Sequence, residues 1–143
     1  MIRVLVAVAA LAMGVSTVVA QQDAISARKA LMKATGGQTG AGAKMVKGEE
    51  PFDLAKAKAI FATYQDTATK SPALFTPTSK DGDTAALPKI WENKADFDAK
   101  FAKFGADAKA AEAKVTDLDS FKTAFGDVTK NCGGCHTDCR AKK

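Results

Sequence analysis

The residues with the clearest chemistry lie near the C-terminus, in the run Cys132-Gly133-Gly134-Cys135-His136. Two cysteines three apart, followed at once by histidine, form the c-type haem attachment signature. Each thiol can add across a haem vinyl group to give a thioether, and His136 then stands where its imidazole can bind iron as proximal ligand. The two intervening glycines keep side chains out of the space between the thiols. His136 is the chain's one histidine, so no second imidazole exists for a zinc site or a bis-histidine haem. A bare CxxC could also be a redox dithiol, but no βαβ pattern surrounds it. A Cys132–Cys135 disulfide is disfavoured because thiols at that helical separation point poorly for a bridge.

The elements that must present these residues read as helices. Asp23 can cap a first helix from Ala24, with Ile25, Arg28, Met32 and Thr35 on one face. Gly36, Gly37, Gly40 and Gly42 weaken its propensity, yet Ala41, Ala43, Met45 and Val46 resume the apolar pattern. The helix is therefore expected to persist to about Lys47, with Gly48 as its C-cap. Glycines on a packed face also admit a close neighbour, either another helix or a second copy in a homodimer. Glu49-Glu50-Pro51 is expected to open the second helix, which carries Leu54, Ala57, Ile60, Phe61, Tyr64 and Ala68 and ends near Lys70. Ser71 to Leu87 is a long connection that Leu74 and Phe75 pin to the core. Pro88 begins the third helix, with Trp91, Phe97, Phe101, Phe104, Ala108, Ala111 and Val115 on its inner side. Asp117 caps the fourth, where Leu118, Phe121, Phe125, Val128, Cys132, Cys135 and Cys139 follow alternating steps of three and four. The haem cysteines thus continue a buried stripe. The pattern predicts an all-α fold, an antiparallel up-down-up-down four-helix bundle.

In such a bundle the start of the first helix lies beside the end of the fourth. Arg28 and Met32 then fall near the level of His136. Met45 is thirteen residues further, about 20 Å along the axis at 1.5 Å per residue, and Met1 and Met13 belong to the leader. Met32 is the methionine left as a distal iron ligand; the competing reading is that it fills core space. Arg28, one turn earlier, is either a partner for a haem propionate or a surface charge.

The chain's 143 residues carry a formal net charge of +5. Met1-Ile2-Arg3 followed by an uncharged run from Val4 to Ala20 is a secretory signal pattern, with Val18-Val19-Ala20 fitting a cleavage site. The competing reading is an uncleaved membrane anchor. Cleavage leaves one domain, residues 21–143, at +4, with no membrane segment. Its lysines are spread singly over helix faces, without the basic stripe and stacking aromatics of a nucleic-acid binder. No nucleophile–base pair, defined carboxylate pair or phosphate loop points to an enzyme. Cys139 is left over in an oxidising compartment, as a buried filler or a reactive, dimerising thiol.

With these residues in view, the mature chain resembles class II cytochromes c, the cytochrome c′ family. The resemblance rests on Ala27-Arg28-Lys29-Ala30-Leu31-Met32-Lys33, Val46 to Asp53, Pro88-Lys89-Ile90-Trp91-Glu92 and Cys132 to Arg140. The C-terminal haem motif is the most telling, since class I members carry it near the N-terminus. The family has five-coordinate members, with Leu or Phe on the distal side and NO or CO as ligands, and low-spin members with methionine there. Met32 matches the distal position and Arg28 the family's first-helix arginine near the propionates. The resemblance therefore implies one covalent haem c held by Cys132, Cys135, His136 and Met32 in a periplasmic electron carrier. The alternative it implies is a gas-binding protein; a third reading, outside the family, is a thiol-rich metal or redox module. Cys139 departs from the family's usual aromatic before Arg140. Lys29, Lys33, Lys130, Arg140, Lys142 and Lys143 are expected to crowd the haem end and steer a redox partner with an acidic docking surface.

Overall fold

The computed structural model describes the backbone of residues 2–142 and the side chains of residues 21–142. The expected leader, residues 1–20, and its cleavage after Ala20 lie outside the residues described in side-chain detail, and Lys143 lies outside the described residues altogether. Helix α1 is Ile2–Lys47, α2 Leu54–Lys70, α3 Lys89–Glu92, α4 Lys94–Lys114 and α5 Leu118–Cys139. Short 3-10 turns at Pro72–Leu74 and Pro77–Ser79 shape the connection before α3. Each long helix packs on its predecessor, and α1 closes the ring against α5. This is the expected four-helix bundle.

Two starting points differ from the sequence reading. Asp23 lies inside α1 rather than at its cap. Helix α2 opens at Leu54, not at Glu49-Glu50-Pro51, and the reason is local hydrogen bonding. The Gly48 N–H donates to Met45 O at 3.2 Å and the Glu49 N–H to Lys44 O at 2.9 Å, which is the Schellman closure of α1. Gly48 has φ +76°, the left-handed backbone that this closure requires. Residues 48 and 49 thus finish one helix and cannot begin the next. The Asp53 carboxylate, accepting from the Lys56 N–H at 2.9 Å, caps α2 instead. The third helix is likewise split at Asn93, whose side chain accepts from the Asp96 N–H and caps α4. Asp117 caps α5 as expected, in a reciprocal capping box with Ser120.

The core is built from the apolar stripes. Phe61, Tyr64, Phe97, Phe101, Phe104, Phe121 and Phe125 are buried with Ile60, Ile90, Val115 and Val128. Phe61 meets Phe121 edge-on at 5.8 Å between ring centroids, and Tyr64 lies 5.3 Å from Phe104. Helix α1 persists through its glycines because packing there needs one of them: a Cβ on Gly42 would collide with the Phe125 ring. Met45 is buried in this core. Among the described residues no helix is long and apolar enough to cross a membrane.

Candidate haem site

A cavity of about 320 Å³ opens between α1, α4 and α5. Met32, Thr35, Gly36 and Thr39 line it from α1, Lys100, Phe101 and Phe104 from α4, and Asn131, Cys132, Cys135 and His136 from α5, with Arg140 just beyond. Four residues singled out from the sequence, Met32, Cys132, Cys135 and His136, therefore come together although a hundred residues separate the first from the others. The α1 periodicity brings Met32, Thr35, Gly36 and Thr39 to one face, and the step from Cys132 to His136 is one helical turn.

The environment suits a large, mostly apolar cofactor with soft and imidazole ligands. Phe101 and Phe104 supply aromatic wall. Burial pushes the His136 imidazole below its ordinary pKa, and the charge of Arg140 adds to the effect. The neutral ring, which is the form that ligates metal, is favoured. Burial raises the Cys132 thiol and pushes Cys135 up to about 12, with neighbouring Cys139 the next cause. Both side chains are half-buried at the cavity wall, as thiols destined to become thioethers would be. Cys139 is buried in the core, in keeping with the filler reading. Among the described residues no cluster of three or more His, Cys, Asp or Glu side chains is arranged to hold a metal ion. The soft and imidazole donors lining the cavity are the Met32 thioether, the Cys132 and Cys135 thiols and the His136 ring.

Arg28 sits one turn before Met32 but turns elsewhere. It does not line the cavity, and it is not a surface charge either, being only 5% exposed. Its guanidinium turns to the connection before α3. Nη1 donates to Ser79 Oγ at 3.0 Å and Nη2 to Ser79 O at 3.0 Å and Thr84 Oγ1 at 2.7 Å. It also stands 4.6 Å from the centroid of the Phe75 ring and 5.8 Å from that of Trp91. Burial lowers its pKa from the usual arginine value. The contacts are those of a clamp on the connection.

Several lining residues were not marked as site residues by sequence reasoning. Thr39 shares a 2.8 Å hydrogen bond with the Tyr64 hydroxyl and donates to Thr35 O, while Thr35 and Thr67 share one at 2.9 Å. Thr39 lies seven residues after Met32, so extending the α1 stripe by one turn would have found it. Lys100 and Asn131 carry no comparable signal, because a polar residue at a cavity rim looks like any solvated position.

The comparisons with known proteins agree with this geometry. The family model described as Cytochrome C′ matches residues 23–140. A cytochrome c′ of Rhodopseudomonas palustris is 49% identical over 132 residues, spanning 92% of this chain and 90% of its own. Cytochrome c-556 of the same organism is 34% identical over the whole chain and 99% of its own length. In three dimensions, the cytochrome c′ structure from Rhodopseudomonas palustris superposes with a TM-score of 0.82 at 50% identity, covering 85% of this chain and 98% of that one. An NMR-validated structural model of oxidised cytochrome c556 from R. palustris reaches 0.77 at 32% identity, over 85% of this chain and 98% of its own. A single CxxCH at the end of the last bundle helix, an apolar cavity beside it, and full-length likeness to these proteins lead to one conclusion: the chain belongs to the cytochrome c′ family of monohaem proteins with covalent haem c.

Proposed function

We propose that the protein is an exported, periplasmic electron carrier of the low-spin type. Cys132 and Cys135 form the two thioethers, His136 is the proximal ligand and Met32 the distal one. The observation that carries this reading is the shared cavity, which Met32 lines from α1 and His136 from α5. Bound haem supplies the Fe(III)/Fe(II) couple, and thioether sulfur opposite imidazole raises its potential. The chain's own residues do the rest. His136 is held neutral by burial, ready to ligate. Phe101 and Phe104 keep water from the cavity, and a fixed protein environment limits rearrangement as charge changes. Leader removal after Ala20 belongs to the same proposal. The electron would pass to or from a partner with an acidic surface, attracted by Lys33, Arg140 and Lys142. Lys29 is already paired with Asp83 and Lys130 with Asp127, so these two contribute less to such a field than a count of cations implies.

The ferric optical spectrum of the mature protein tests the assignment. Low-spin bands with a methionine-to-iron absorption near the red edge are expected, and Met32→Ala converts the spectrum to high spin. An unchanged spin state in that variant removes Met32 from the ligand set.

A second reading is reversible binding of NO or CO on the Met32 side of the same cavity. A high-spin ferric spectrum, with prompt CO binding on reduction, distinguishes it.

A further inference from the structure

We infer that Arg28 is a positioning residue for axial ligation. Through the segment from Ser79 to Leu87 it holds the end of α5 that carries His136 in register with the turn of α1 that carries Met32. The inference rests on the ligand pair proposed above and adds a residue that touches neither ligand.

The hydrogen bonds form a continuous path. Arg28 Nη2 donates to Thr84 Oγ1, and the same oxygen accepts from the Ala86 N–H at 3.1 Å. Beyond it, the Leu87 N–H donates to Cys139 O at 3.0 Å and the Ala141 N–H to Ala85 O at 2.8 Å. These two bonds make an antiparallel bridge between Ala86 and Arg140. The strap therefore starts one turn before Met32 on α1 and ends one turn after His136 on α5. It lies close on α1, because Gly82 at φ +107° leaves no side chain where a Cβ would come within 3.2 Å of Ile25 Cδ1.

One further observation says that this path matters. The buried guanidinium finds neutral oxygens and ring faces as partners: Ser79 and Thr84 on the strap, Leu74 and Phe75 just before it, and Trp91 behind it. A buried charge needs such contacts satisfied, so the strap must stay seated for Arg28 to stay buried.

The test uses the haem-loaded protein and the variants Arg28→Gln, Thr84→Val and their combination. Three readouts apply: amide exchange at Leu87 and Ala141, ferric spin state, and apparent CO affinity of the ferrous protein, which rises as the methionine-ligated fraction falls. Both single variants should speed exchange at the two amides and raise the high-spin fraction. Arg28→Gln should raise CO affinity roughly tenfold, the scale of one lost charge-assisted hydrogen bond. The double variant should go no further than Arg28→Gln alone, because both act on one path. Thr84→Val at wild-type CO affinity overturns the inference, as does full additivity; either means that Arg28 acts by another route, such as a haem carboxylate. Thr84→Val keeps the buried cation and removes one hydroxyl, so it decides the matter alone if Arg28→Gln does not fold. Met32→Ala serves as reference. A CO affinity unchanged in that variant overturns the ligand pair itself, a failure distinct from that of the strap.

Discussion

Tyr64 shows how a single residue beside the cavity carries a measurable signature. Burial pushes its hydroxyl from the usual value near 10 up to about 12, partly offset by the hydrogen bond with Thr39. The folded state therefore favours the neutral phenol. Below pH 10 both folded and unfolded chains hold the proton, and its contribution to stability is complete. As pH rises from 10 towards 12 the unfolded chain loses the proton first, and that contribution drains away, by up to about 3 kcal/mol at 1.36 kcal/mol per pKa unit. Denaturant midpoints of wild type and Tyr64→Phe compared across this range should converge as pH climbs; parallel curves would mean that Tyr64 is not responsible. At this scale the sequence was legible where chemistry is tied to spacing. Cys132, Cys135 and His136 declare themselves in five residues, and Met32 emerges by register on α1. Arg28 was placed at the right level, but its hold on the connection before α3 was not foreseen. Its partners, Ser79 and Thr84, lie in a stretch without periodicity, so nothing in the sequence says which way the side chain turns.

At the scale of elements, the helix stripes were readable because burial imposes a period, and the ends were less so. Helix α2 starts at Leu54 because the N–H groups of Gly48 and Glu49 are spent closing α1, a competition between adjacent caps that residue preferences do not reveal. Asp117 had no such rival, and the expected cap was found. Replacing Asp117 with Ala should lower stability by about 1 kcal/mol, the usual worth of an N-cap, as read by thermal or denaturant unfolding. Gly42 makes a sharper test. Its missing side chain lets Phe125 lie directly on α1, so Gly42→Ala should destabilise by about 1–3 kcal/mol through overpacking, although alanine is the better helix former. A gain in stability would show that the Phe125 ring simply moves away. The same substitution at Gly40, where the space is open, should be neutral to stabilising.

For the whole molecule, the bundle places its cofactor cavity at the end where α1 and α5 meet, with cations near it unevenly engaged. Lys29 and Lys130 have acidic neighbours, whereas Lys33, Arg140 and Lys142 have no ion pair among the described residues. If these three steer an acidic partner, its rate of reduction should fall as salt rises towards 0.15 M, where the screening length is about 8 Å, and Lys33→Glu should slow it further. A rate indifferent to salt rules out steering by charge. The connection before α3, of which the strap is the later part, also contains the acceptor for Trp91, whose indole Nε1 donates to Thr76 O at 2.8 Å. Trp91 is the chain's sole tryptophan, so ultraviolet emission from this protein comes from one place, beside Phe75 and the Arg28 guanidinium. Porphyrin quenches indole light by energy transfer. Stopped-flow fluorescence can therefore time the docking of that segment without any label, and a burst of brightness will announce the moment it lets go.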